Sequence, residues 1–452
     1  MVNKNIICVI DGEAGSCGKA KVCGQIALDE RLNIIASVTN SMPNAGHTFV
    51  SELGETYLFR NIPVAVVNPN VKLFIGPSSV IDMDVFRKEY EECESLLGNR
   101  QIYVHELVPL VEDRHKEKEK ETIKSGSTYH GCAACNQEKI IRDPHLKFFK
   151  GYKKAIVLTN EEWLNELYNC LDDSNGMVLF EGAQGAGLSL NLSGNFPYVT
   201  SRNINVSNML QEAGVSPRRL HTTVMVVRPF PIRINDITNE GKFVFTGSYG
   251  SGASLTWSNI NIGAKLGFYP TAFDFDLFDN MLNDDLKNKL LNASEKRSLM
   301  QIFGERYKDI TPSDIKLIDA LEMERLIYKG KGIREYISKV VDLSHLDDPT
   351  LRDLSEMTSV TKLERKVFDL DINKLKSSVR MNDPDCLYLN FFQHLDLEYE
   401  KCCGDYKEFL INRYIREYLN WLESSLGVDI STLGTGSKNN EYIKRRELII
   451  LD

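Results

Sequence analysis

The sequence lacks any run of about 18 consecutive apolar residues, the length that a membrane-spanning helix needs. It also lacks an excess of basic residues, since 54 Lys and Arg stand against 63 Asp and Glu for a net charge of −9. That acidic balance argues against a protein that binds nucleic acid directly and favours an enzyme of small molecules. The apolar run near the start of the chain is short and is followed by Asp11 and Glu13, which does not fit a signal peptide. We therefore expect a cytoplasmic protein without membrane contact.

Paired cysteine motifs are equally scarce. The chain has ten cysteines, but a single C-x-x-C, Cys132 to Cys135, without a second pair at zinc spacing. This pattern favours reduced thiols over a disulfide framework or a zinc site. Hydrophobic residues at 42% and charged residues at 26% are ordinary values for a globular protein of 452 residues, a length that can bury a large core.

A glycine-rich turn follows the first apolar run. Residues 6–10 read as a buried strand, Gly12 to Lys19 as a turn rich in small residues, and residues 22–28 as a helix. A strand, a glycine turn, a lysine and a helix together form a phosphate cradle in many proteins. The turn is not a Walker A loop, because Ala20 replaces the hydroxyl residue that follows the lysine. A phosphate site and an ordinary strand-to-helix turn both remain open at this point.

The same pattern recurs along the chain. Strand-like segments at 33–38, 71–75, 177–180, 223–227 and 386–392 end in loops of small, hydroxyl or amide residues. Helical patterns cover 84–98, 112–124 and 405–425. This alternation predicts an α/β fold with a large, mostly parallel central sheet, flanking helices, and a ligand site along the carboxyl edge of the strands. We divide the chain into an α/β core at 1–257, a helical insertion at 258–350, and the rest of the core at 351–452.

Four strings give the chain a resemblance to adenylosuccinate synthetases over residues 5–250 and 355–443. They are Gly15-Ser16-Cys17-Gly18-Lys19-Ala20-Lys21, Asn44-Ala45-Gly46-His47-Thr48, the Phe-Glu-Gly-Ala-Gln-Gly string at 180–185, and the Pro-Tyr-Val-Thr-Ser string at 197–201. The resemblance implies a P-loop-like phosphate site and a ligase that forms a C–N bond. A nucleoside triphosphate phosphorylates O6 of a purine monophosphate, and the amine of L-aspartate then displaces the phosphate.

The resemblance also implies roles for individual residues. The implied catalytic residues are Ser16, Lys19, His47 and Gln184. Mg²⁺ would be held with the help of Ser16 and Gly46. The residues implied for the purine nucleotide and aspartate are Asn44, Ala45, Thr128, Arg142, Gln184, Thr200, Arg233, Thr361 and Arg365. Those implied for the phosphoryl donor are Gly15, Gly18, Lys19, Gly46, His47, Thr48, Asn390, Gln393, Gly434 and Gly436. Arg142 would act on the nucleotide of a partner subunit, which implies a homodimer.

Ser16 departs from the usual pattern of these enzymes. Their residue at this position is Asp, which removes the proton from N1 of the purine, and Ser is a far poorer base. Because Ser is smaller and uncharged, a purine with a 2-amino group beside N1 would fit here. The substitution is similar to the phage-type 2-aminoadenylosuccinate synthetases, which act on dGMP. The resemblance to that branch implies that the product feeds 2-aminoadenine into DNA, in the host cytoplasm if the protein is phage-encoded.

Two further departures concern the donor and one loop. The T-K-L-D string that reads guanine in GTP is replaced by Asn390-Phe391-Phe392-Gln393, which favours ATP or dATP as the donor over GTP. The segment with Tyr129, His130 and the C-x-x-C also differs, and no physical reason for that change is evident.

Several alternatives stay open at the level of sequence. The chain could be an ordinary synthetase that acts on IMP with GTP. It could be a catalytically inactive nucleotide-binding relative, although Lys19, His47, Gln184 and Arg365 are all retained. It could also use another amine donor, because Lys362-Leu363-Glu364 replaces the arginine-rich string expected around aspartate.

Overall fold

The computed structural model describes residues 2–123, 129–239, 242–250, 254–255, 257, 260, 264, 354–357, 364–411 and 413–449. Thr128, Thr361 and nearly all of the predicted insertion at 258–350 lie outside these residues. The division into 1–257, 258–350 and 351–452 therefore stays a prediction.

Strands alternate with helices along the described chain. The strands are β1 (Ile6–Asp11), β2 (Ile34–Thr39), β3 (His47–Val50), β4 (Thr56–Phe59), β5 (Lys72–Ile75), β6 (Ile102–His105), β7 (Ala155–Leu158), β8 (Met177–Glu181), β9 (Leu220–Val227), β10 (Ile232–Arg233), β11 (Ile237–Asn239), β12 (Lys242–Val244), β13 (Ser254–Leu255), β14 (Lys366–Phe368), β15 (Cys386–Leu389), β16 (Gly404–Asp405), β17 (Ile430–Gly434) and β18 (Tyr442–Lys444). The α-helices are α1 (Lys19–Leu28), α2 (Met83–Leu97), α3 (Asp113–Thr122), α4 (Cys132–Ile141), α5 (Asn160–Leu171), α6 (Val206–Glu212), α7 (Ile372–Asn382) and α8 (Arg413–Leu426).

An 11-stranded sheet in the order β16-β18-β17-β15-β9-β1-β8-β2-β5-β6-β7 forms the centre of the fold. The strands from β7 across to β17 are all parallel, whereas β18 runs antiparallel to β17, and β16 is parallel to β18. The central strands are continuous apolar runs because both faces of a parallel sheet are covered. The predicted α/β fold with a mostly parallel sheet is confirmed.

Alternate residues of β1 enter the two halves of the core. Ile6, Cys8 and Ile10 pack with residues of α5 to α8 on one face, while Ile7 and Val9 pack with residues of α1 and α2 on the other. All five side chains are 2% exposed or less. The central strand is thus fixed from both sides, and its last residue, Asp11, is carried to a defined position at the carboxyl edge.

Two predicted boundaries are wrong. The strand predicted at 386–392 ends at Leu389, because Phe391 adopts a left-handed conformation with φ 57° that breaks the ladder. The helix predicted at 405–425 begins at Arg413, after a short 3₁₀ turn at Tyr406–Glu408. Within the described residues, no helix is long and apolar enough to cross a membrane.

Candidate active site

The loops that the sequence singled out converge at the carboxyl edge of the sheet. The strands β1, β2, β8, β9, β15 and β17 are neighbours in the parallel part of the sheet, so their last residues lie along one edge. Ligands of open α/β sheets bind outside this edge. The structure therefore places the predicted phosphate loop, the Asn44–Thr48 string and the Gly182–Gly187 loop around a common region.

The first loop is organised by Asp11. Its Oδ1 accepts hydrogen bonds from the N–H groups of Glu13 at 3.0 Å and Gly15 at 3.2 Å. Its Oδ2 accepts from the N–H of Cys17 at 3.0 Å and from Lys19 Nζ at 3.2 Å. Asp11 is fully buried. Sequence reasoning missed this role. The position of Asp11 at the end of a buried strand could have indicated it, because a buried carboxylate needs hydrogen-bond donors around it.

The second glycine-rich loop is packed directly on the first. The N–H of Gly187 donates to the carbonyl of Glu13 at 2.6 Å, and Lys19 Nζ donates to the carbonyl of Gln184 at 2.8 Å. A Cβ on Gly185 would lie 2.3 Å from the N atom of Gly15, so this position requires glycine. Gln184 has φ 66°, an uncommon conformation for a residue with a side chain. The two loops thus form one unit that holds the Lys19 ammonium.

The tip of the first loop is exposed, while its base is sealed. Gly15, Ser16 and Gly18 all have positive φ, at 93°, 60° and 85°. Ser16 is exposed, whereas Glu13 is fully buried. Burial raises the pKa of Glu13 to about 8. Glu13 therefore cannot take the place of the missing Asp at the loop tip, because its carboxyl lies beneath the loop, in contact with Cys17 Sγ and the N–H of Arg228.

The loop that follows β2 presents His47 at the edge of this region. His47 is 8% exposed, and burial together with the charge of Lys19 lowers its pKa to about 3. The imidazole is therefore neutral at physiological pH and can donate one N–H. Arg60 donates to the carbonyl of Pro43 at 2.6 Å, and Arg202 donates to the carbonyl of Asn40 at 2.7 Å. Sequence reasoning missed both arginines, which hold this loop and add positive charge near His47.

The rest of the Asn44–Thr48 string lies on the same loop and the start of β3. Asn44 is half-buried, and its backbone lies beside the thiol of Cys132 in the first turn of α4. Ala45 is buried, whereas Gly46 and Thr48 are exposed. The loop therefore presents the Gly46 backbone and the Thr48 side chain to the solvent side.

Asn390 joins the phosphate loop to the carboxyl ends of β15 and β17. Its Nδ2 donates to the carbonyl of Cys17 at 3.0 Å. A Cβ on Gly18 would lie 2.0 Å from Asn390 Nδ2, and one on Gly434 would lie 2.0 Å from Asn390 Oδ1, so both positions exclude a side chain. Asn390 is 4% exposed and sits beneath the loop. Its visible role is to brace the loop.

Gln393 and Gly436 occupy the neighbouring loops. Gln393 is half-buried, and its Oε1 is a buried acceptor without a hydrogen-bond partner among the described residues. The carbonyl of Gly436 accepts from Lys21 Nζ at 2.8 Å. Burial lowers the pKa of Lys21 to about 7. The second lysine of the first loop therefore anchors α1 to the chain after β17.

Two arginines predicted for aspartate lie at the small sheet of β10, β14 and β13: Arg233 ends β10, and Arg365 directly precedes β14. Arg233 is 6% exposed and donates through Nη2 to the carbonyls of Tyr198 at 3.2 Å and Thr246 at 2.5 Å. Its Nη1 is buried without a partner in the described chain. Burial lowers the pKa of Arg233 to about 10. Arg365 is half-buried and directly precedes Lys366, the residue that pairs with Arg233 across the small sheet.

Arg228 is a further buried arginine, which sequence reasoning did not assign. Its guanidinium forms a bidentate ion pair with Glu356 and lies 4.1 Å from the centroid of the Phe391 ring. It also donates to the carbonyl of Ser16 at 3.1 Å. Arg228 thus connects the exit of β9 to the phosphate loop.

Arg142 and Thr200 are the last two of the predicted site residues that the structure describes. Arg142 is exposed in a left-handed conformation at the end of α4. Thr200 is half-buried, and its N–H donates to the carbonyl of Leu188 at 2.8 Å, which connects the 197–201 string to the loop after β8.

No group of three or more His, Cys, Asp or Glu side chains in the described chain is arranged to hold a metal ion.

A wide groove of about 690 Å³ lies at the opposite, amino edge of the sheet. Residues beside the starts of β8, β9 and β15, such as Met177, Leu220 and Cys386, line it. None of the residues predicted for the site is among those that line this groove. The chemistry expected from the sequence is therefore concentrated at the carboxyl edge.

Comparison with known proteins assigns the chain to a family. The Adenylosuccinate synthetase family profile matches residues 9–150 and 145–242, more than half of the chain. The chain belongs to the adenylosuccinate synthetase family. Members of this family are ligases that form a C–N bond.

The similar proteins fall into two groups, a phage synthase and adenylosuccinate synthetases. N6-succino-2-amino-2'-deoxyadenylate synthase of Vibrio phage phiVC8 is 31% identical over 269 residues, which cover 57% of this chain and 74% of the phage protein. Adenylosuccinate synthetase of Methanococcus maripaludis is 32% identical over 233 residues, which cover 50% of this chain and 67% of that protein. Sequence identity alone thus does not separate the two groups.

Solved structures share the fold. The succinoaminodeoxyadenylate synthetase of cyanophage S-2L, bound to dGMP and dATP, has a TM-score of 0.65 at 20% identity and covers 99% of this chain and 97% of its own. The fully ligated adenylosuccinate synthetase of Plasmodium falciparum has a TM-score of 0.59 at 17% identity, with 98% of this chain and 100% of its own covered. Both share the fold of this chain.

Proposed function

We propose that this protein ligates L-aspartate to C6 of dGMP, with hydrolysis of ATP or dATP, to give N6-succino-2-amino-dAMP for the synthesis of 2-aminoadenine DNA. The Vibrio phage relative is named as the synthase of this product. The observation on which the proposal rests is Ser16, an exposed uncharged residue at the tip of the phosphate loop.

Ser16 decides which purine the site accepts. Adenylosuccinate synthetases that act on IMP carry Asp here, and a carboxylate would crowd the 2-amino group of guanine, which lies next to N1. The left-handed backbone of Ser16 and its neighbour Gly15 turns this position outward, away from the buried Glu13. A small hydroxyl in that place leaves room for the amino group and can accept a hydrogen bond from it.

Phosphoryl transfer to O6 is assigned to Lys19, His47 and Gln184. The Lys19 ammonium, held between Asp11 and the carbonyl of Gln184, would bind oxygens of the transferred phosphoryl group. Neutral His47 would donate its N–H to the oxygen that bridges the donor phosphates. Gln184, Asn44, Ala45, Thr128 and Thr200 would bind the purine nucleotide.

Aspartate binding is assigned to Arg233, Arg365 and Thr361. Among the described residues, Nη1 of Arg233 has no acceptor; this supports the assignment, because a buried donor without an acceptor is costly and a carboxylate would satisfy it. Arginine suits this role because its planar fork matches the two oxygens of a carboxylate.

Binding of the donor is assigned to the loops around β15 and β17. Gln393 carries a buried acceptor, Oε1, that would suit the exocyclic amino group of adenine, whereas guanine presents a carbonyl oxygen at the equivalent position. Gly15, Gly18, Thr48, Gly434 and Gly436 would line the phosphates and the base. ATP or dATP is therefore favoured over GTP.

Mg²⁺ fits the donors of the loop tips. The Ser16 hydroxyl and the Gly46 carbonyl belong to exposed residues and are hard oxygen ligands, and Mg²⁺ in phosphoryl-transfer sites takes few protein ligands beside phosphate oxygens and water. When bound, the ion would neutralise charge on the donor phosphates.

A homodimer would complete the site. Arg142 lies exposed at the end of α4, and no side-chain contact links it to the other predicted residues in the described chain. This placement supports a role on the nucleotide phosphate of a partner subunit.

A substrate matrix tests the proposal. IMP, GMP and dGMP are each combined with ATP, dATP and GTP in the presence of aspartate and Mg²⁺, and phosphate release and product mass are measured. We expect a succino product from dGMP with ATP or dATP. Turnover on IMP with none on dGMP would instead assign the chain to ordinary adenylosuccinate synthesis, and nucleotide binding without phosphate release would indicate an inactive relative.

The variant Ser16→Asp tests the specificity argument. We expect kcat/KM for dGMP to fall by about 100-fold, the size of discrimination that a steric change in a pocket achieves. Ser16→Ala is the comparison variant: it preserves the space but removes the hydroxyl, with its hydrogen bond and its oxygen for Mg²⁺, so at saturating Mg²⁺ we expect its loss of dGMP turnover to stay within about tenfold, smaller than that of Ser16→Asp. Equal loss in both variants would contradict the steric role of Ser16.

A further inference from the structure

We propose that Asp11 is a positioning residue that holds Lys19 and divides the amides of the phosphate loop into one set bound to the protein and one set left for the nucleotide phosphate. The inference rests on the proposed function for the identity of the nucleotide, but its geometry belongs to the loop itself.

The Asp11 carboxylate is saturated by four donors. Both oxygens accept two hydrogen bonds each, from the amides of Glu13, Gly15 and Cys17 and from the Lys19 ammonium, at 3.0 to 3.2 Å. All four partners donate, which fits an ionised carboxylate, since that group only accepts. Asp11 has no exposed surface, so it cannot itself meet a ligand from solvent.

The amides that contact Asp11 alternate with amides that do not. Glu13, Gly15 and Cys17 point their N–H groups at the carboxylate, whereas no residue in the described chain accepts the N–H of Ser16 or Gly18. Successive N–H groups in a turn with positive φ form concave anion sites. Asp11 therefore acts as an internal anion on one side of the loop, and the opposite side stays available for phosphate.

Lys19 is held in the same way. Its ammonium donates to Asp11 Oδ2 and to the carbonyl of Gln184, and no further acceptor for it lies in the described chain, so the third N–H can meet a ligand. Without Asp11, the ammonium would lose its buried counter-charge and its fixed direction. Phosphoryl transfer depends on such preorganised charge, so the effect should reach the chemical step as well as nucleotide binding.

The variant Asp11→Asn tests this role because it keeps the shape but replaces one acceptor oxygen with an N–H₂ donor. We expect KM for ATP to rise and kcat to fall, each by roughly 10- to 100-fold, while KM for aspartate stays within about threefold. The control is Glu13→Gln in the same loop, which should stay within about threefold in all three constants at pH 7, since Glu13 is already protonated there. A uniform change in all constants of Asp11→Asn would reduce Asp11 to a structural residue and overturn the proposal.

Hydrogen exchange of the unmodified protein gives a second test that needs no folded variant and no turnover. With the site empty, the amides of Glu13, Gly15 and Cys17 should exchange at least about tenfold more slowly than those of Ser16 and Gly18. Addition of ATP should slow Ser16 and Gly18 specifically. Equal exchange at all five amides in the empty protein would refute the division of the loop. Because this pattern does not depend on the purine that is phosphorylated, a failure of the dGMP assignment would leave it standing.

Discussion

Two buried arginines, Arg228 and Arg233, follow β9 within one short segment. Their surroundings differ, and the difference indicates a structural role for Arg228 and a role in ligand binding for Arg233. Arg228 is 1% exposed, its two Nη atoms pair with the carboxylate of Glu356, and its guanidinium lies over the ring of Phe391, although its Nε has no hydrogen-bond partner in the described chain. Arg233 is 6% exposed, but it meets carbonyl oxygens through Nη2 and leaves Nη1 without a partner in the described chain. What separates the two is the counter-charge: breaking the buried ion pair of Arg228 would leave Glu356 unpaired, whereas Arg233 has no carboxylate hydrogen-bonded to it in the described chain, and we expect it to bind one from a ligand.

The variant Arg228→Met should give the largest effect, a loss of about 3 kcal/mol in the free energy of unfolding, measured by urea titration. The reason is that Glu356 would lose its buried counter-charge. The value lies at the low end of the range for broken buried pairs because the Glu356 side chain is 21% exposed. The double variant with Glu356→Gln should recover much of this loss, and strict additivity of the two substitutions would contradict the pairing.

The variant Arg233→Met should show the opposite pattern. We expect KM for aspartate to rise by roughly 10- to 100-fold, which matches the loss of a hydrogen bond to a charged group. The free energy of unfolding should fall by less than for Arg228→Met, by about 1 to 2 kcal/mol, because the carbonyls of Tyr198 and Thr246 lose a donor but no carboxylate in the described chain is left unpaired. Arg233→Lys is the control that keeps the charge but loses the fork. An unchanged KM for aspartate, with a large loss of stability, would place Arg233 in the same class as Arg228.

A pH-dependent effect concerns Glu13, whose Oε1 accepts the backbone N–H of Arg228. Its pKa is about 8 in the folded protein against 4.5 for an ordinary Glu, with burial as the main cause. The folded state therefore holds the proton more tightly. The stability that results is complete below the ordinary pKa and is lost as the pH rises through 8.

The variant Glu13→Gln should remove this dependence. Between pH 5.5 and 7.5, the unmodified protein should lose up to about 1.4 kcal/mol per pH unit more than the variant, measured by urea titration at each pH. Parallel stability curves for the two proteins would show that Glu13 is ionised, and Arg228 would then have a second counter-charge.

Much of the fold followed from local patterns. Apolar runs located β1, β2, β5, β8 and β9 to within a few residues, because strands buried on both faces have a continuous apolar sequence. The strand exits identified the ligand edge for the same reason, since parallel strands end on one side. The end of β15 was not predictable, because Phe391 adopts a left-handed backbone conformation that is uncommon for a phenylalanine and that the residue type does not indicate.

The candidate site divides along similar lines. Lys19, His47 and Gln184 carried sequence signals in short strings that resemble one family. Arg60, Arg202 and Arg228 did not, because their roles come from partners far away in the chain, such as Asn40 for Arg202 and Glu356 for Arg228. Neither the spacing nor the residue type indicates such a pairing.

The sequence by itself determined the family, the parallel sheet and the uncharged residue at position 16, since these are properties of local strings and periodicity. The tertiary structure decided which charges are satisfied and which are available. It buried Asp11 against three amides of its own loop, left the Nη1 of Arg233 without an acceptor in the described chain, and kept Glu13 beneath the loop. The physical reason is that burial and hydrogen-bond satisfaction are set by every chain segment that packs around a group, and these segments are brought together only by folding.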